Sequence, residues 1–90
     1  MIINKDDLMK RAKPSVDSLR NVGLDANYVS VDSNGEVWAW QYKPQIYLEK
    51  YVLQPHYQEW WFGDKRIGGC WLLFRFDEPV SNWGDLCLSV

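Results

Sequence analysis

Ninety residues make one domain, and a chain of this size buries only part of the surface that its unfolded form exposes. The net charge of −2 argues against a generic nucleic-acid binder and is too mild for a mimic of DNA. Six Trp, five Tyr and three Phe are many for this length, and most of them lie between Trp38 and Phe74. Large rings let a short chain build a core, but a sheet face also runs out of room for them. Two readings therefore stand side by side: a core that needs bulk, and an interface that exposes some of the rings.

The chain opens with a helix signature. Asn4 suits an N-cap, Asp6 and Asp7 fall in the first turn, and Ile3 and Leu8 occupy the positions of a hydrophobic staple. Leu8, Ala12, Val16 and Leu19 follow helical spacing across Pro14, and Gly23 is a stop signal. Pro14 implies either one kinked helix or a short helix followed by a second turn capped by Ser15. Two alternating runs, residues 28–32 and 36–42, then flank Ser33-Asn34-Gly35. Asn-Gly between such runs marks a hairpin with a two-residue type I′ turn. That register sets Val31 opposite Trp38 and Val29 opposite Trp40, with all four in the core and a one-residue slip exposing both tryptophans.

Pro44 ends the second strand. Residues 45–55 read as an insertion-like connection that could be a loop, an irregular strand or a helical turn. A third strand is expected over residues 56–62, turn chemistry over 63–69, and a fourth strand over 70–76. In that last strand Cys70, Leu72, Phe74 and Phe76 form one face, and Trp71, Leu73 and Arg75 the other. Ser81 suits the N-cap of a closing helical turn, while alternation of Leu86, Leu88 and Val90 suits a short final strand. The expected fold is α+β: an N-terminal helix on an antiparallel sheet of about four strands, with a short C-terminal helical turn.

No catalytic grouping assembles from the residue types. His56 is the only histidine and reads as an ordinary edge residue. Cys70 and Cys87 lack the ligand partners that a metal site needs and sit in apolar registers that do not favour a reactive thiolate. A disulfide between them is possible in principle, although reduced thiols are the default without a signal peptide. Asp6-Asp7 is explained by the helix dipole, and Asp77-Glu78 lies in a turn before Pro79. Glycine-rich phosphate motifs are absent. Lys10, Arg11, Lys13 and Arg20 read first as a solvated helix face, with contact to phosphate or an acidic protein surface as the alternative.

The segment Val29 to Trp40, with Asp32, Gly35, Val37 and Ala39 followed by Lys43-Pro44, resembles a hairpin in small uncharacterised bacteriophage and prophage accessory proteins. Asn82-Trp83 with Leu86 resembles their closing element, the leucine standing one position sooner. The resemblance covers about a third of the chain and implies a setting rather than an activity. Such proteins act by occupying a surface of a host protein, defence complexes included, in the host cytoplasm. The expectation is a non-enzymatic inhibitor of the anti-CRISPR kind with no cofactor and no metal. Its expected partner surface is Tyr57, Trp60, Trp61 and Trp71, rimmed by Lys65 and Arg66, because interface hot spots favour Trp, Tyr and Arg. The rivals are a module that stacks single-stranded nucleic acid on the same rings and a homodimer paired through the aromatic face. No run is long and apolar enough to cross a membrane.

Overall fold

A computed structural model describes residues 1–53 and 69–90. Helix α1, Lys5–Asn21, begins where Asn4 Oδ1 accepts the Asp6 N–H at 2.7 Å. Ile3 and Leu8 are both buried, as the staple requires. The helix runs on through Pro14, and Ser15 lies inside it rather than capping a second turn. Its end is a Schellman motif: Leu24 N–H donates to Leu19 O and Gly23 N–H to Arg20 O, both at 3.0 Å, with Gly23 at φ 86°. Arg20 then donates to Ala26 O at 3.0 Å and to Val90 O at 2.8 Å. This arginine joins the helix end to two other parts of the chain and is not merely a solvated charge.

Strands β1 (Tyr28–Val31), β2 (Glu36–Trp40), β5 (Cys70–Arg75) and β6 (Cys87–Ser89) form an antiparallel sheet in the order β5-β2-β1-β6. Strands β3 (Gln45–Tyr47) and β4 (Lys50–Val52) form a second, two-stranded sheet, so the segment read as an insertion-like connection, with loop, irregular strand and helical turn left open, contains a hairpin. A 3-10 turn, Trp83–Asp85, precedes β6, so both readings of the C-terminal segment are realised in succession. Ser81 is not its cap; Asn82 holds that position and uses its side chain elsewhere. The α+β architecture is as expected, but the fourth strand of the main sheet is β6. The strand expected over residues 56–62 lies outside the described residues.

The hairpin register differs from the expected one by one residue. Val31 faces Val37, Ser30 faces Trp38, Val29 faces Ala39 and Tyr28 faces Trp40. The cause is the loop, which has three residues instead of two. Asp32 N–H donates to Glu36 O and Gly35 N–H to Asp32 O, each at 2.9 Å, and Gly35 takes φ 92°. This is a tight turn followed by a left-handed glycine, the second commonest hairpin solution. A Cβ on Gly35 would stand 2.9 Å from Glu78 O and 3.0 Å from Phe76 O, so the loop also packs where only glycine fits.

The slip changes which residues form the core. Val29, Val31, Val37 and Ala39 are wholly buried and pack with Leu8, Ala12 and Val16 of α1. Trp38 and Trp40 turn to the opposite face together with Ser30. Full exposure does not follow there: Trp38 is half-buried, and Trp40 is 1% exposed with its indole N–H donating to Ser30 Oγ at 2.7 Å. Strand β5 carries a second irregularity. Its pairing with β2 shifts between Val37 and Trp38, which leaves Leu73 without an opposite residue. Trp71, Leu73, Phe74 and Phe76 consequently all pack against the helix-side core. The expected division of this strand into alternating faces fails at that bulge.

Candidate functional site

Of the six residues expected to face a partner, Tyr57, Trp60, Trp61, Lys65 and Arg66 lie outside the described residues. Trp71 is described. It pairs opposite Ala39 and packs, half-buried, against the core on the helix side of the sheet.

The titratable groups at the other face serve the fold. Asp32 is 3% exposed and accepts the Tyr51 backbone N–H at 2.8 Å, tying β4 to the end of β1. Ser33 N–H donates to Glu49 O at 3.2 Å across the same seam. The Tyr51 hydroxyl donates towards Gly84 O (2.9 Å) and Trp83 O (3.2 Å), and its ring meets Trp83 edge-on at 5.8 Å. Burial, then the nearby Cys87, Asp85 and Asp32, push the Tyr51 hydroxyl up to about 12. Burial also raises the Cys87 thiol, against the opposing pull of Lys43, and so keeps it protonated. Cys70 and Cys87 stand on the two edge strands of the four-stranded sheet. Three strand spacings separate them by about 14 Å, twice what a disulfide spans. Among the described residues, no group of three His, Cys, Asp or Glu is placed to hold a metal.

The closing Asn82-Trp83 pair is a clasp. Asn82 Oδ1 accepts the Ile3 N–H at 2.9 Å while Asn82 Nδ2 donates to Ile3 O at 2.8 Å, so one amide side chain pairs with the backbone as a strand would. With the Trp83 contact to Tyr51, this pair joins the N-terminal segment to the second sheet. Asp32 and Gly35 of the hairpin motif likewise serve architecture, through Tyr51 and through the backbone of residues 76–78.

The β3–β4 hairpin presents what the fold does not use. Tyr47 pairs with Lys50, leaving Leu48-Glu49 as a two-residue loop. Leu48 is 75% exposed and has φ 57°, and it is the one non-glycine residue with positive φ among those described. Ile46, two residues earlier, is half exposed. Neither was singled out from the sequence, because Leu-Glu is not turn chemistry and the signal is a backbone angle. No family model, curated protein or solved structure matches the chain. No helix among the described residues is long and apolar enough to cross a membrane.

Proposed function

We propose that the chain is a non-catalytic protein-binding domain that inhibits a host protein for a phage, as a counter-defence factor of the anti-CRISPR kind. The observation supporting the binding role is Leu48. A side chain in the left-handed region costs about 1–2 kcal/mol relative to glycine. An exposed leucine gains no burial in return, so its side chain serves something that covers it. Ile46, half exposed on the same hairpin, adds apolar surface. The phage setting and the host cytoplasm rest on the resemblance of the hairpin and the Asn82-Trp83 pair. The sequence-based surface, Tyr57, Trp60, Trp61, Lys65 and Arg66 with Trp71, belongs to the same proposal.

Affinity capture from a bacterial lysate tests the reading. Leu48→Gly should raise stability by about 1 kcal/mol, because it relieves the backbone. The same substitution should lose the captured protein. A folded Leu48→Gly and a folded Leu48→Asp that both capture the same protein as wild type would refute the hairpin as the contact. Trp60→Ala/Trp61→Ala tests the second part of the surface in the same assay. Sedimentation decides the homodimer: a self-associated species abolished by Leu48→Asp would assign the leucine to a second copy of the chain.

A further inference from the structure

Arg11 is exposed on α1, yet it is held in place. Its guanidinium carbon lies 4.7 Å from the Phe76 ring centre and 5.0 Å from that of Phe74. The two rings are themselves locked edge-to-face at 5.4 Å, and Phe76 is buried. Asp7, one helical turn earlier, is suitably spaced for an ion pair with Arg11, but the two form none, and Arg11 donates no hydrogen bond among the described residues. The guanidinium is therefore oriented by the rings while its N–H edge stays open. Beside it lies an open concavity of about 430 Å³ lined by Ile2, Ile3, Asn4, Asp7, Lys10 and Phe76, among others.

We infer that Arg11 and this concavity form a second binding site, for a carboxylate carried beside an apolar side chain on a protein partner. Three features favour that chemistry. A stacked guanidinium has already lost much of its rotamer freedom and offers a planar fork that matches a carboxylate. Ile2, 78% exposed, supplies apolar surface next to the charge. Asp7 in the lining offsets part of the positive charge of Arg11, Lys10 and the Met1 amino terminus, which leaves enough for one carboxylate, whereas a nucleic-acid backbone calls for a longer series of cations. The site lies on the helix side of the sheet, so it stands or falls independently of Leu48.

The test is an NMR titration of the whole ¹⁵N-labelled chain with N-acetyl-leucine, whose carboxylate adjoins an isobutyl group. N-acetyl-leucinamide, inorganic phosphate and single-stranded oligothymidylate are run alongside. Saturable shifts are expected at the Arg11 Nε–H and at the Ile2 and Lys10 amides, with a dissociation constant on the order of millimolar. Arg11→Gln should weaken binding about tenfold, and Arg11→Lys less, since it keeps the charge without the fork. Unchanged Val31 and Val37 amides report that each variant folds. Binding that does not saturate, survives Arg11→Gln, or is matched by the amide overturns the site. Tighter binding of phosphate or the oligonucleotide overturns the carboxylate assignment.

Discussion

The two faces of the main sheet are covered by different physics. Towards α1, Val29, Val31, Val37 and Ala39 meet Leu8, Ala12 and Val16 in a surface closed by shape alone. On the other side Ser30, Asp32 and Trp40 are just as buried, but polar bonds organise the packing: Trp40 to Ser30, Tyr51 to Asp32, and the Tyr51 hydroxyl to the 83–84 carbonyls. The first face should tolerate apolar substitutions that preserve volume. The second is sensitive to the loss of a single atom, because the Trp40–Ser30 and Tyr51–Asp32 bonds are buried and a lost partner is not replaced by water.

The largest expected effect tests the first face. Leu8→Ala should cost about 3 kcal/mol in denaturant unfolding, since Leu8 is wholly buried and its loss leaves a cavity. A cost under 1 kcal/mol, well below the usual range, would show that the helix seats loosely. Next, Asp32→Ala strips the acceptor from the Tyr51 N–H and should cost about 2 kcal/mol. Ser30→Ala removes the oxygen that accepts the Trp40 indole N–H and should cost about 1–2 kcal/mol, although the apolar volume hardly changes. If Ser30→Ala were neutral, the contrast between the faces would collapse. The smallest effect is Tyr51→Phe at neutral pH, about 1 kcal/mol for the lost hydroxyl bonds.

Alkali sharpens the last case. The Tyr51 hydroxyl titrates near its ordinary 10.0 in the unfolded chain and at about 12 when folded. Its contribution is therefore intact below pH 10 and is lost as pH rises from there through about 12, because the unfolded state releases the proton first. Tyr51→Phe should flatten the fall in melting temperature across that window relative to wild type.

Helix α1 was legible because its determinants are local: Asn4, the Ile3–Leu8 staple and Gly23 act within a turn of where they stand. The hairpin at Asn34-Gly35 was legible as a hairpin but not in register. Asn-Gly supports both loop lengths, and the choice here goes with Gly35 seated against the backbone of residues 76–78, some forty positions away. The bulge opposite Val37 and Trp38 redistributed Trp71 and Phe74 for an equally non-local reason. The β3–β4 hairpin was missed because Leu48 turns without the residues that favour turning. Composition pointed to rings as the exposed apolar residues; among the described residues Tyr42 is exposed, Trp40 and Tyr51 are buried, and two aliphatic side chains also protrude from the second sheet.

The Asn82 clasp has a consequence for the order in which the chain can become native. Ile3 and the amide that grips it stand 79 positions apart in the chain. Strand β6, later still, completes the flank of β1. The chain can wind α1 and close the 28–40 hairpin from local contacts, but neither is sealed until residues 82–89 are in place. Such end-to-end closure raises contact order and slows folding. Until then β1 keeps an open edge beside the aliphatic face that it shares with β2.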